Sequence, residues 1–255
     1  MRTNTTKAKL KAGEMVLGSY IRHADAGLTE AICHYGWDYL FFDCEHSSIT
    51  PRDCEHLARA CELRGVTPIV RVPVNQPATF GRYLDTGMQG IQIPMVNTAA
   101  EAEAVVRAVK YQPLGSRGLA AGRAADYGQA QPFSLRDYTA AANAETLVVV
   151  QIETAAAVVQ AGQIANVPEV DVVFIGPTDL SHSLGVPGDL QNEKVQRAFD
   201  SVAAAVLPSG KALGILVPNA EAARQWRARG ARYIMVVLEA LLAPAARGFL
   251  QAARS

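Results

Sequence analysis

Eight short apolar runs punctuate the chain: residues 15–20 (MVLGSY), 39–44 (YLFFDC), 67–72 (TPIVRV), 90–96 (GIQIPMV), 146–153 (TLVVVQIE), 170–176 (VDVVFIG), 211–217 (KALGILV) and 232–238 (RYIMVVL). Each is rich in β-branched or aromatic residues and nearly continuous in apolar character, as expected of a strand covered on both faces. Between them lie Ala-rich amphipathic stretches such as 98–110 and 219–230, with apolar positions at helical spacing. Alternation of buried strands with helices implies parallel pairing. Eight such units in 255 residues predict an α/β fold, a closed (β/α)8 TIM barrel. An open doubly wound sheet is the alternative, but no GxGxxG follows the first strand. No linker or composition shift divides the chain, so 1–255 is expected to form one domain, with a polar N-terminal segment 1–13 and a C-terminal helix over 239–253. Two connections, 111–145 and 177–190, are long enough to serve the site or a contact between subunits.

Composition narrows the function classes. The chain carries 24 basic and 24 acidic residues, so no basic surplus points to nucleic acid or anionic lipid. No apolar stretch approaches the roughly 20 residues of a membrane span. The N-terminus, MRTNTTKAKLKAGE, lacks the apolar core of a signal peptide, and a cytoplasmic location is expected. Cys33, Cys44, Cys54 and Cys61 form no CxxC pair and are expected to be small buried hydrophobes.

The tetrapeptide DCEH occurs twice, at 43–46 and 53–56. The second copy follows ITPR, in which Thr50 can cap a helix and Pro51 suits its first position. Cys54, Leu57, Ala58 and Cys61 then form the buried stripe, leaving His56 in water. The first copy instead ends a strand. Asp43 closes it, and Glu45 and His46 fall in the following turn, at the rim where such barrels place their chemistry. Arg71 ends the third strand, Gln151 and Glu153 share one face at the end of the fifth, and Asp179 follows the sixth. Charged groups thus collect near one rim, although a hydrogen-bonded turn would also account for the first DCEH copy.

Glu153 and Asp179, on neighbouring strands, offer two hard oxygen ligands suited to Mg2+ or Mn2+, with Co2+ admissible. The competing arrangement pairs one carboxylate with Arg71 and lets the other cap a helix. A divalent cation there could chelate a 2-oxo acid and act as a Lewis acid for its enolate. Arg71 could then hold the developing oxyanion and His46 could serve as general base. No organic cofactor is expected. A Schiff-base mechanism is disfavoured because none of Lys7, Lys9, Lys11, Lys110, Lys194 and Lys211 lies within a strand or at its C-terminal end. The last two strand-to-helix loops are not Gly-rich phosphate cradles, which favours a non-phosphorylated substrate.

The ordered segments GWDYLFFDCEH, IVRVP, LDTGMQGIQIPMVNTAAEA, YQPLGSRG, VVVQIET and VDVVFIGPTDLSHSLG, spread from Val16 to Leu242, resemble the HpcH/HpaI family of divalent-metal-dependent 2-oxo acid aldolases. The resemblance implies a barrel of the phosphoenolpyruvate/pyruvate type. It also implies reversible cleavage of a 4-hydroxy-2-oxo acid to pyruvate, or another small 2-oxo acid, and an aldehyde. It assigns His46 as base through water, Arg71 as the arginine of the transition state, and Asp85 as a carboxylate acting on the histidine across a subunit contact. Read alone, Asp85 is equally a helix-end residue before Gly87. Glu153 and Asp179 match the metal ligands, and Gln151, Gly176, Pro177, Thr178 and Asp179 match the pyruvate site. A homo-oligomer, hexamer or trimer, is implied, with the last helix exchanged between partners.

Departures from the family pattern fall at Gly18, Ser19 and Tyr20, at Ser47 and Ser48, and at Leu238 and Glu239, positions expected to face the aldehyde. Arg123 and Tyr127 in the loop 118–128 are candidates for a distal carboxylate, or else solvated loop residues. The same site could decarboxylate oxaloacetate or perform a citrate-type condensation. A non-catalytic barrel that binds a small acid is the alternative of another class.

Overall fold

The structure, a computed structural model, describes residues 2–255. All eight expected strands form: β1 (Val16–Ile21), β2 (Tyr39–Asp43), β3 (Thr67–Arg71), β4 (Gly90–Ile93), β5 (Leu147–Ile152), β6 (Val172–Ile175), β7 (Ala212–Val217) and β8 (Ala231–Val237). They pair in parallel, in chain order, and β8 closes on β1. Closure leaves no open strand edge. One set of side chains fills the barrel, including Tyr39, Phe41, Val149, Phe174 and Tyr233. Tyr39 and Tyr233 stack with centroids 4.4 Å apart. Gly18 makes room for them, since a Cβ there would lie 2.2 Å from the Tyr39 ring.

The helices are α1 (Thr5–Lys11), α2 (Ala26–Cys33), α3 (Pro51–Glu62), α4 (Pro77–Leu84), α5 (Ala99–Val109), α6 (Leu135–Glu145), α7 (Ala155–Ala165), α8 (Pro177–Ser183), α9 (Glu193–Val206), α10 (Ala220–Ala228) and α11 (Leu238–Arg254). The second DCEH copy lies in α3, which Thr50 and Asp53 cap reciprocally; Cys54, Leu57, Ala58 and Cys61 are buried and His56 is exposed.

The polar segment 1–13 is not merely a leading stretch, because residues 5–11 form α1, which closes the N-terminal end of the barrel. The Asn4 side chain caps it by accepting from the Lys7 N–H at 2.9 Å. Leu10 joins the barrel interior, and Thr6 donates to the Asp38 carbonyl at 3.0 Å. Lys7 Nζ pairs with Asp171 at 3.0 Å and donates to the Thr146 carbonyl at 2.8 Å. Nearby, Lys110 Nζ donates to the carbonyls of Asn143 and Thr146 and pairs with Glu169 at 3.3 Å. Polarity misleads here because these side chains serve barrel-end carbonyls and carboxylates rather than water.

The extension 111–145 joins the end of α5 to the start of β5 and so lies at this same N-terminal end. Its Tyr111, Ala125, Tyr138 and Ala142 form a small core of their own. The extension 177–190 follows β6 and lies at the opposite rim.

The terminal helix α11 buries Leu238 but exposes Leu241, Leu242, Phe249 and Leu250. Beside it an apolar cavity of about 300 Å3 opens among Met15, Leu17, Trp37, Ala223 and Ile234. Among the described residues no helix is long and apolar enough to cross a membrane.

Candidate active site

The C-terminal rim holds a cavity of about 380 Å3 lined by Tyr20, Arg22, His46, Arg71, Gln92, Gln151, Gly176, Pro177, Thr178 and Asp179. Phe41, Phe174, Leu216, Met235 and Val237 give it an apolar wall. Strand alternation explains the polar set, because Tyr20, Asp43, Arg71, Gln92 and Gln151 all lie an even number of residues from inward-facing positions lower on the same strands.

Arg71 organises one side. Its Nε donates to Asp43 Oδ1 at 2.8 Å, one terminal nitrogen donates to the Tyr20 hydroxyl at 2.9 Å, and the other lies 3.0 Å from Glu45 Oε2. Two of the five guanidinium N–H groups are thereby hydrogen-bonded; the remaining three are on the terminal nitrogens, one of which is ion-paired with Glu45. Asp43 is fully buried and also accepts the backbone N–H groups of Glu45 and His46 at 3.0 and 3.2 Å, besides the Tyr20 hydroxyl. It therefore shapes the turn that presents His46. Burial works to raise the Asp43 pKa, but the Arg71 hydrogen bond and charge, with Tyr20, hold it below the usual carboxylate range. Glu45 is pushed upward, first by burial and further by the charges of Asp43 and Asp179, against the pull of Arg71. His46 stands exposed at the mouth, with Nε2 3.7 Å from Glu45 Oε2.

On the other side Glu153 is buried at 2% exposure. Its Oε1 accepts the Met95 N–H at 2.6 Å and its Oε2 accepts from Gln151 Nε2. Met95 is held at φ +54, an unusual left-handed conformation that aims its amide at the carboxylate. Burial raises the Glu153 pKa to about 7; the two hydrogen bonds oppose this, and the charges of Glu45 and Asp179 add to it. Gly176 is required, since a Cβ would lie 2.7 Å from Glu153 Oε2. Asp179, half-buried, sits in the first turn of α8.

Asp43 and Glu45 thus pair with Arg71, while Glu153 and Asp179 add negative charge that Glu45 feels from Asp179 and Glu153 feels from both Glu45 and Asp179. Among the described residues no three His, Cys, Asp or Glu side chains form a ready-made metal cage. Two hard carboxylates suit Mg2+ or Mn2+, which complete their shell with water and substrate oxygens; Asp179 lines the cavity, and both Glu153 oxygens accept protein hydrogen bonds. The buried and repelled Glu153 carboxylate fits that ion.

Other sequence-selected residues lie elsewhere. Asp85 caps the end of α4 toward the N-terminal face, pairs with Arg117 at 2.7 Å, and does not meet the His46 of its own chain. Arg123 is not free to meet a substrate carboxylate in its own chain, because it pairs with Glu62 at 2.7 Å and donates to the Thr86 carbonyl. Tyr127 sits 3.5 Å from Glu55 and Arg59 on the surface. Of the departures at 18–20, only Tyr20 lines the cavity; Gly18 lies under the Tyr39 ring and Ser19 is buried. Ser47 donates to the Asp43 carbonyl, Leu238 is buried, and Glu239 pairs with Arg22 and His23. Gln92 was not foreseen, although it is the lone polar residue of the run GIQI and shares the inward parity of Gly90.

The HpcH/HpaI aldolase/citrate lyase family model matches residues 17–243. The chain is 36% identical over 244 residues to a hydroxypyruvate/pyruvate aldolase from Roseovarius nubinhibens, covering 94% of this chain and 92% of that one. It is 34% identical to a 2-keto-3-deoxy-L-rhamnonate aldolase of Escherichia coli O157:H7, with 94% and 89% covered. A solved structure of an HpcH/HpaI aldolase/citrate lyase family protein from Burkholderia cenocepacia superposes with a TM-score of 0.93 at 36% identity, covering 99% of this chain and 100% of that one.

Proposed function

Because the chain belongs to the HpcH/HpaI aldolase/citrate lyase family, we propose that it is a class II aldolase. In this reading it reversibly cleaves a 4-hydroxy-2-oxo acid into pyruvate, or a close 2-oxo acid, and an aldehyde. The observation that carries the proposal is the gathering of acidic groups at the rim: Asp43 and Glu45 pair with Arg71, and Glu153, buried and within the field of Glu45 and Asp179, is pushed up to about 7. Buried charge without a counter-ion is unfavourable, and a divalent cation with an anionic substrate resolves it.

Glu153 and Asp179 would hold Mg2+ or Mn2+, with Co2+ admissible, and the ion would supply Lewis-acid stabilisation of negative charge on the keto oxygen. The free N–H groups of Arg71 would bind the same developing charge, pre-aligned by Asp43 and Tyr20. Gln151, with the backbone of Gly176, Pro177 and Thr178, would line the 2-oxo acid. In the cleavage direction His46, through a water at the mouth, would take the proton of the C4 hydroxyl. The C3–C4 bond would then break toward the keto group, and C3 would afterwards take up a proton. The aromatic and aliphatic wall would limit water around the carbanion equivalent.

The apolar face of α11 and the open cavity beside it support a homo-oligomer, hexamer or trimer, with α11 exchanged between copies. In that assembly Asp85 would reach the His46 of a neighbour. Removing residues 239–255 should lower the assembly state in sedimentation.

The test of activity is exchange of the C3 protons of pyruvate in D2O, followed by NMR. Exchange that needs added Mg2+ or Mn2+ supports the reading. Exchange that persists after chelation, or none with any divalent ion, contradicts it.

A further inference from the structure

The four cysteines of the chain, all free thiols, meet in two pairs on α3. Cys33 ends α2 and Cys61 lies in the last turn of α3, with their Sγ atoms 4.0 Å apart. Cys44 follows β2 and Cys54 lies near the start of α3, with Sγ atoms 3.6 Å apart. Burial alone asks only for small apolar side chains at such positions; it does not ask that sulfur meet sulfur. Since bonded sulfurs sit at about 2 Å, either pair would have to close by roughly 2 Å or less.

Their surroundings differ in how readily they yield. Cys44 is pinned, because its N–H donates to the Arg71 carbonyl at 2.9 Å and the preceding Asp43 is held by Arg71 and Tyr20. Cys33 instead sits at a helix end that runs into the exposed turn His34, Tyr35 and Gly36. Exposure does not separate the pairs, since Cys33 and Cys44 keep 5% and 7% while Cys61 and Cys54 keep none. Ionisation supports the same choice, because the thiolate is the nucleophile. The Cys54 thiol, burial, and the charges of Asp43 and Asp53 push the Cys44 thiol far up. The Cys61 thiol holds the Cys33 thiol below its usual value, with help from Arg64 and against burial and Glu30. A reachable sulfur backed by a sealed one is the arrangement of an attacking and a resolving thiol.

We propose that Cys33 and Cys61 form a thiol oxidation site, at which a hydroperoxide converts the pair to a disulfide that ties α2 to α3. The Cys33 sulfur attacks one peroxide oxygen and the O–O bond breaks, giving a sulfenic acid and, with the thiol proton, one molecule of water or alcohol. The Cys61 sulfur then attacks Cys33 Sγ, the S–O bond breaks, and water leaves with the Cys61 proton. The two thiols lose two electrons, and the peroxide gains them. Neither residue lines the rim cavity, but the closed loop 33–61 encloses β2 and the turn carrying Glu45 and His46. Closing a loop of that length restricts the unfolded chain.

The test treats the full chain with hydrogen peroxide and maps its peptides by mass spectrometry after alkylation in denaturant, with and without dithiothreitol. The expected result is one disulfide within the chain, joining Cys33 to Cys61, reversed by dithiothreitol. The thermal midpoint should rise by roughly 5 °C or more. Cys33→Ala should lose both the crosslink and the rise, and Cys44→Ala should keep both. A disulfide between Cys44 and Cys54, disulfides only between chains, or sulfinic acid at Cys33 with no crosslink would overturn the assignment. So would four intact thiols at a peroxide excess that oxidises free cysteine. Mapping of the wild type decides the assignment even where a variant folds poorly.

Discussion

The two ends of the barrel both bury charge, and they treat it differently. At the N-terminal end Lys7 and Lys110 meet Asp171, Glu169 and the carbonyls of Asn143 and Thr146, so that two cations face two anions. At the C-terminal end Asp43 and Glu45 pair with Arg71, whereas Glu153 and Asp179 have no ion-pair partner among the described residues, and the Glu45 Oε2 has no hydrogen bond. In the first arrangement each buried ammonium has a carboxylate and backbone carbonyls as partners. The second leaves negative charge and hydrogen-bonding capacity for something to fill, which distinguishes a site from a seam.

Mutations at the two ends should separate along that line. Glu153→Ala, at the open end, should lower aldol turnover by about 100-fold or more while leaving the thermal midpoint near that of wild type, since it removes a buried repelled carboxylate. Activity assays beside calorimetry would check both halves. Lys7→Met, at the closed end, should destabilise the fold by about 3 kcal/mol in denaturant titrations, because Asp171 loses its partner. Its turnover per folded molecule should not change.

The closed end should also show itself in pH dependence. Burial and the neighbouring Lys7 charge lower the Lys110 pKa from 10.5 to about 8. Between those values the unfolded chain binds a proton that the folded chain does not, so stability should rise with pH through this window, by at most about 3 kcal/mol. Unfolding curves from pH 8 to 9.5 should show the rise in wild type and lose it in Lys110→Met. The smallest effect is expected from Tyr20→Phe, which removes one hydroxyl from Asp43 and Arg71. Turnover should drop by roughly tenfold, with Mn2+ affinity unchanged; an unaltered kcat would mean that Asp43 alone aligns the guanidinium.

The open end was more legible in the sequence than the closed one. Strand ends announce themselves where an apolar run meets Asp43, Arg71 or Glu153, and parallel alternation sends all of these to one rim. The closed end is built from α1, where Asn4, Thr6 and Lys7 look like surface residues because their partners outside this segment lie 32 to 164 positions away in sequence. Gln92 is illegible in sequence for a related reason: it enters the site by donating to the Gln151 carbonyl, a contact that residue type alone does not announce. Arg123 shows the converse, a charged loop residue that reads as available in sequence but is paired with Glu62 in the fold.

The claim that the rim's surplus carboxylates exist to hold a divalent cation is tested most directly by Mn2+ titration followed by electron paramagnetic resonance. Wild type and Lys7→Met should bind a single ion per chain with the same affinity, and Glu153→Ala should weaken it by about 100-fold or more. Equal Mn2+ affinity in wild type and Glu153→Ala would contradict the account.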